Sequence, residues 1–456
     1  MKSSWTTGLA VGLSAWLLIA TPAFAAAPGV PVDGTLTQPA VALRVNDWTL
    51  SAAALDALLR VVRERKPGVT ASQVAAAAAE DRVLGGYAQR QYDDATLFVG
   101  ERVRFSPQTS VEASLVTTLQ AAFREPLSKA MGPAESYIVK HHALSRERLV
   151  ALLSTDGKLR LDDRLPPARE AKLKDVLLLE GRVGARPYRV TLHDIWERQD
   201  VQGRNALYRF DVGFATQQAA QLAADRFVLG WARENSGLGA DGVEQLRQLV
   251  ADRNRRNALA RLLGGGEDPH YSSPEVERLQ RSVEPAAIRA YYNTHKTDFT
   301  RIEKVLARTM RFANESQARA ASAELVRGAS FEDVAKQGKA GDGVAKWIDS
   351  SATQGSWMAQ LAFAQAPGPA SPPIREPETG KTAPGWIIVA VDKRVTGLHP
   401  ADSETVRFTA SQAIARQRAA SGFANLRTHL LTEARIQVNP GALGVRTTPK
   451  LLDSGP

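Results

Sequence analysis

The sequence predicts an α+β protein, with a mainly helical core joined to a small antiparallel sheet module that helices back. Three observations carry that prediction. Capped, amphipathic stretches fill most of residues 41–263 and 402–434. Residues 284–397 switch to a strand–helices–strand pattern, which in about 110 residues makes an antiparallel sheet covered by helices. The runs that bound this pattern, Val305–Phe312 and Trp386–Val391, are apolar and of strand length.

The N-terminus reads as an export signal. Lys2 gives a positive start, Leu9–Ala20 is an apolar run too short for a comfortable membrane span, and Ala23-Phe24-Ala25 is a small-x-small cleavage site. Residues 1–25 are therefore expected to leave, and the mature chain to begin at Ala26 in the periplasm. The alternative is an uncleaved N-terminal anchor. No other stretch reaches about 18 uninterrupted apolar residues, so no stable membrane span is expected after cleavage. Residues 26–40 are rich in Pro, Gly and Thr and read as a linker.

Residues 41–150 read as an N-terminal helical domain. Val41–Asn46 alternates like a strand, Asn46-Asp47 turns, and Trp48–Leu50 returns. Ser51 caps a helix with the stripe Leu55, Leu58, Leu59 and Val62, and Thr70 or Ser72 caps the next, to about Gln91. The rest, to Arg148, reads as connector helices, Val111–Phe123 being the clearest. Residues 151–280 read as a second helical region. Polar Ser154–Arg169 marks its boundary, Val176–Leu179 and Tyr188–Leu192 are short strands about a turn, and Asp241–Leu263 is an amphipathic helix. Gly264-Gly265-Gly266 stops that helix and lacks the GK[ST] of a phosphate loop. Asp81–Ala88 aligns without gaps on Asp225–Ala232, and Thr49-Leu50 and Thr191-Leu192 precede the two copies. That reads either as two similar helical lobes or as coincidence in alanine-rich helix, and not as a solenoid.

In the module at 284–397, Asn314 with Gln317 reads as a capping box for a helix striped by Ala318, Ala321 and Leu325, which Gly328 stops. Ser330 with Asp333 starts a shorter helix, and Met358–Phe363 is another helical turn. Beyond it, residues 400–438 hold a long helix capped at Asp402 or Ser403, followed by the strand Ile436–Val438, and 439–456 reads as a loose tail.

Composition narrows the chemistry. The net charge of +10 is spread along the chain with only short clusters such as Arg253, Arg255 and Arg256, so nucleic acid is not an expected partner. With no cysteine there is no zinc-finger spacing, disulfide or thiol chemistry. His141-His142 would point apart on a helix, His193-Asp194 reads as a surface pair, and no G-x-S-x-G is present. No metal and no cofactor is expected.

The order of motifs resembles the parvulin family of peptidyl-prolyl isomerases, of the PpiC and SurA type. The lead-in helix carries Ile288, Tyr291, Tyr292, His295 and Phe299, and Ala307–Arg311 stands where the family reads A-R-H-I-L. Gly328, Phe331 and Ala335 match G-x-x-F-x-x-x-A, and Ala340-Gly341-Asp342 with Trp347 match G-G-D-x-G-W in worn form. Ala362-Phe363, Pro367-Gly368, Ser371 and Pro373 follow the next motif, and Pro384–Val391 follows the last strand. The opening from Val41 is similar to that of SurA-type chaperones, in which the C-terminal segment packs back on the N-terminal domain. The resemblance implies the same for residues 400–438 here.

The resemblance also implies where a site would lie. The two facing histidines of the family fall on Thr309 and Ile387. The pocket aromatic falls on Met358 and the pocket methionine near Gln354, while Phe363 and Arg311 complete a candidate peptide-binding set. The Ile374–Gly385 loop is about six residues longer than the family's. Rotation about an X-Pro bond faces a barrier of ~20 kcal/mol. Losing a positioned polar network is expected to cost on the order of 10²–10⁴ in rate. Three functions follow from the resemblance. The first is a periplasmic folding factor that binds unfolded or proline-containing exported polypeptides with a weak or lost isomerase site. The second is an active isomerase, and the third an accessory subunit of a secretion or polysaccharide-export system. N-terminal sequencing of the protein from the cell envelope is expected to begin at Ala26, and recovery of Met1 from a soluble cytoplasmic fraction would overturn the leader reading.

Overall fold

The computed structural model describes residues 29–98, 105–154, 165–266, 273–336, 343–378 and 383–452. The leader features at Lys2, Leu9–Ala20 and Ala23-Phe24-Ala25 lie outside the described residues, as do Ala340, Gly341, Asp342 and part of the 374–385 loop. In chain order the strands are β1 (Val30–Pro31), β2 (Gly34–Thr35), β3 (Val41–Val45), β4 (Trp48–Ser51), β5 (Ile138–His141), β6 (Leu177–Val183) and β7 (Arg186–Thr191). They continue with β8 (Thr300–Phe312), β9 (Lys346–Asp349), β10 (Ile374–Arg375), β11 (Trp386–Leu398), β12 (Ile436–Val438) and β13 (Leu451–Leu452). Long helices separate them, so the α+β class holds. The chain divides into two compact units, Met1–Val276 with Arg418–Pro456, and Glu277–Gln417.

The first unit holds two lobes. In the first, β3 and β4 form a hairpin whose Asn46 has φ +52°, a left-handed position that asparagine tolerates. Ser51 caps the helix Ala52–Arg63 by accepting from the Ala54 N–H at 3.2 Å, and Thr70 with Gln73 forms a reciprocal capping box for Ala71–Gln91. The C-terminal strand β12 lies between β2 and β3, with Ile436 opposite Val45 and Val438 opposite Leu43, all buried in the core. Helix Ala71–Gln91 crosses Gly239–Leu262 so closely that a Cβ on Gly85 would overlap the Asp252 backbone. At the crossing two buried carboxylates are paired, Asp81 with Arg253 at 2.7 Å and Arg256 at 2.9 Å, and Asp252 with Arg82 at 2.8 Å. Burial pushes the Asp252 carboxyl above its usual range, opposed by Arg82 and Arg255.

Two sequence expectations fail at the ends of this unit. Residues 26–40 read as a linker and 439–456 as a loose tail, yet β1 pairs antiparallel with β13, Val30 opposite Leu452, and both side chains are fully buried. Asn439 also caps the helical turn Pro440–Leu443. Two-residue strands carry no alternation to read, and their partners lie at opposite ends of the chain.

The second lobe is a three-stranded antiparallel sheet in the order β5-β6-β7, packed on helix Val212–Asn235 and its neighbours through Leu149, Leu173, Val190, Leu192, Trp196 and Leu222. Strand β5 falls in sequence expected to be connector helix, so His141 and His142 sit at a strand end and not on a helix. His142 Nε2 meets Glu180 Oε1 at 2.7 Å and His141 is exposed. Four residues have little local preference, and pairing with β6 decides their conformation. His193 and Asp194 are not a surface pair either. Asp194 closes a capping box with Thr191, and His193 Nε2 meets Glu170 Oε1 at 3.2 Å.

The second unit is built on a four-stranded antiparallel sheet in the order β10-β11-β8-β9. Strands β8 and β11 pair from Phe312↔Trp386 to Thr300↔Leu398 and run further than their apolar runs suggest. One face packs Met310, Phe312, Ile388 and Ala390 on helices Glu315–Val326 and Phe331–Ala335. Asn314 caps the first of these by accepting from Gln317 N–H at 3.0 Å, a single bond and not the reciprocal box. The long helix Glu404–Glu433 belongs to both units, with Ser403 as its cap. Its first turns pack Val406 and Ala410 on Phe299, and Leu430 and Leu431 join the first lobe's core.

Because β12 carries Ile436 into the first core, Ile436→Ala should lower that unit's stability by ~2–5 kcal/mol. Thr432→Ala, at an exposed site just before it, should stay within about 0.5 kcal/mol. Urea midpoints followed by tryptophan fluorescence measure both, and equal midpoints would deny β12 its place in that core.

Candidate functional site

Side chains alternate across a strand, so one face of the second unit's sheet carries Val305, Ala307, Thr309 and Arg311 from β8 with Ile387, Val389 and Val391 from β11. The register sets Val389 opposite Thr309 and Ile387 opposite Arg311. Helix Trp357–Ala364 covers this face, started by Ser356, whose hydroxyl accepts from the Ala359 N–H at 3.2 Å. The helix delivers Ala362, Met358, Leu361 and Phe363 into one apolar cluster with Ile387, which has 0% of its surface exposed.

The structure thus brings Ile387, Met358 and Phe363 together. Thr309 lies half-buried on the same face, one pleat from Ile387. Gln354 ends the short helix Ser350–Gln354 and is exposed. Arg311 is committed elsewhere. Its Nε donates to Glu376 Oε2 at 2.8 Å, its Nη2 lies 2.6 Å from the same oxygen, and Nη2 also donates to the Ala383 carbonyl at 3.0 Å. Glu376 Oε2 accepts from the Gly385 N–H at 2.7 Å, and a Cβ on Gly385 would lie 2.7 Å from Arg311 Cζ. The bond from Arg311 holds the Glu376 carboxyl below its usual range against the effect of burial, and the Gly385 N–H adds to it. The same bond raises the Arg311 pKa.

Other residues of the motif are framework. Ser371 is buried, its N–H donates to the Val389 carbonyl at 2.7 Å, and its hydroxyl accepts from the Val389 N–H at 3.0 Å. Gly368, at φ +117°, donates its N–H to the Val391 carbonyl at 3.0 Å. The P-G-x-x-S segment is therefore a strap along β11. Arg394 Nη2 donates to the Phe363 and Gln365 carbonyls at 2.9 and 2.6 Å and holds the end of the helix that carries Phe363. Trp347 stands apart on β9 with Lys304 Nζ 4.8 Å from its ring centre.

Glu376 and Arg394 were not singled out from the sequence. The one signal for Glu376 was the extended loop that follows it, and Arg394 lies beyond the apolar part of β11, where nothing marks a partner. Among the described residues, no three His, Asp or Glu side chains converge as a metal site. The face offers an apolar cluster, one hydroxyl and one closed ion pair. No imidazole stands on this face, since residues 305–391 contain no histidine.

Residues 283–407 match the family model described as the PPIC-type PPIase domain. No curated protein matches the chain. Among solved structures, the chain is similar to one described with the two structurally related SurA-like chaperones PEB4 and Cj1289 of Campylobacter jejuni. The identity is 16% over 51% of this chain and 87% of that one, with a TM-score of 0.20. The foldase PrsA of Streptococcus pneumoniae matches at 15% identity over 48% and 70%, TM-score 0.20. PrsA of Lactococcus lactis matches at 10% identity over 88% and 96%, also at a TM-score of 0.20.

The depressed Glu376 value has a signed consequence. The folded pKa lies below the unfolded value of about 4.3. The ion pair therefore stabilises the unit above about pH 4.3, and its contribution is lost as pH falls through the folded value. Both side chains are partly exposed, so it is worth ~0.2–1 kcal/mol. Glu376→Gln is expected to lose that much near neutral pH and nothing in strong acid. Thermal melts at the two pH values measure it, and an equal loss at both would assign Glu376 a packing role instead.

Proposed function

The chain belongs to the parvulin-type PPIC family through residues 283–407, and from that premise we propose a periplasmic folding factor that binds unfolded exported polypeptides and has lost prolyl isomerisation. One observation carries the second half of this reading. Ile387, at the position of the second family histidine, is fully buried beneath Met358, Leu361 and Phe363. Thr309, at the first, has one hydroxyl and no titratable partner across the strand, because Val389 is its neighbour. Isomerisation needs polar groups fixed on both sides of the prolyl amide as it twists. A hydrocarbon and a hydroxyl do not supply that field.

Binding does not need the field. An apolar cluster under half-exposed Met358 and Phe363 suits extended polypeptides, and methionine adapts to varied side chains. The periplasmic location rests on the leader pattern of residues 1–25. Among the described residues no helix is long and apolar enough to cross a membrane.

A protease-free prolyl isomerisation assay on a short prolyl peptide is expected to show a rate at least ~10²-fold below that of a histidine-bearing parvulin. The same preparation is expected to suppress aggregation of an unfolded client. A robust rate proportional to protein concentration, abolished by Met358→Ala with Phe363→Ala, would overturn the proposal and make the protein an isomerase with an unorthodox site.

A further inference from the structure

The two lobes of the first unit repeat one topology, and one of them has a strand that the other lacks. In each, a hairpin leads straight into a capped helix, at Ser51 in the first and Thr191 in the second. In each, a third strand from a distant segment pairs antiparallel with the first hairpin strand, giving β12-β3-β4 and β5-β6-β7. The aligned sequences Asp81–Ala88 and Asp225–Ala232 lie on the long helices that follow, Ala71–Gln91 and Val212–Asn235.

In the first lobe the outer edge of the third strand is occupied. Strand β2 runs parallel to β12, and the Asp33 and Leu36 N–H groups donate to the Ile436 and Val438 carbonyls at 2.7 and 2.8 Å. The Asp33 carboxylate also accepts from the Ile436 N–H at 2.7 Å, and Leu36 is buried. In the second lobe, among the described residues, no strand pairs with the corresponding edge of β5. Val139 on that strand is 66% exposed, and Lys140 and His141 are exposed beside it. Register places Lys140 of β5 opposite Glu180 of the neighbouring strand β6, so Lys140 is the cation on the strand that carries the open edge. An unpaired edge of this kind is a template for an added strand.

We infer that the outer edge of β5 is a strand-addition site for an extended polypeptide segment carrying a carboxylate and an apolar residue, as Asp33–Leu36 does on β12. The segment adds parallel to β5, with main-chain hydrogen bonds supplying affinity and the carboxylate meeting Lys140. As a site for clients, this rests on the folding-factor reading above.

The chain has no cysteine, so Val139→Cys can carry a single bimane label. The probe is a synthetic peptide of residues 32–37, Val-Asp-Gly-Thr-Leu-Thr, extended by one tryptophan as a contact quencher. Saturable quenching at position 139, absent from the same label at Val326→Cys in the second unit, is the expected result. Affinity should fall at least tenfold when the peptide's Asp becomes Lys, or in Lys140→Glu. Unfolding midpoints equal to wild type establish that the variants fold. Quenching that does not saturate, or that ignores both charge reversals, overturns the site. If client aggregation is still suppressed in that case, the folding-factor reading survives without it. Saturable quenching without suppression would keep the strand site and reject the folding-factor reading.

Discussion

The ladder of β12 between β2 and β3 is the constraint on which the first unit depends. It ties Ile436–Val438 to Leu43–Val45, and β1 with β13 adds a second tie between the chain ends. Everything between becomes one long excursion that must leave and return. Closing so long a loop costs entropy, but that cost grows only logarithmically with length. Fully buried Val30, Ile436, Val438 and Leu452 offset it at ~1.5–3 kcal/mol each for complete burial.

The helix crossing at Gly85 adds specificity of a different kind. The missing side chain lets Ala71–Gln91 and Gly239–Leu262 approach closely, and the approach buries Asp81 and Asp252. A buried charge is tolerable only with partners, and Arg82, Arg253 and Arg256 supply them. Such pairs add little net stability over apolar packing, but losing one partner is costly. They therefore penalise any other register of the two helices, which an alanine-rich surface alone would not.

Much of this was legible in the sequence, and the failures share a cause. Ser51, Thr70, Asn314, Ser330 and Ser403 announced helix starts because a cap bonds within three residues of itself. The cores of β8 and β11 were legible as apolar runs. Strands β1, β5 and β13 were not, because each is short and exists only against a partner distant in sequence. At the candidate site, family resemblance pointed to Thr309, Ile387, Met358 and Phe363, the last three of which pack in one cluster, but the ion pair of Arg311 with Glu376 was hidden. Nothing in spacing connects an arginine in β8 with a glutamate beside a lengthened loop, since only the fold brings them to 2.6 Å.

That pair and the buried isoleucine bear on one another. In a sheet face that works on a prolyl amide, polar groups must stay available beside the ring slot. Here the charged groups nearest Ile387 satisfy each other: Glu376 takes the guanidinium and the Gly385 N–H, and Arg311 takes the Ala383 carbonyl besides. Their bonds tie Glu376 to Ala383 and Gly385, while Ser371 and Arg394 fasten the strap and the helix. The charged groups Arg311 and Glu376 on this flank are thus engaged with each other and with backbone. Beside the Thr309 hydroxyl, the cluster itself is hydrocarbon and thioether. A surface that attracts a ground-state peptide and a twisted one equally lowers the free energy of the bound state without lowering the barrier above it, and this is the physical basis of the binding reading proposed above.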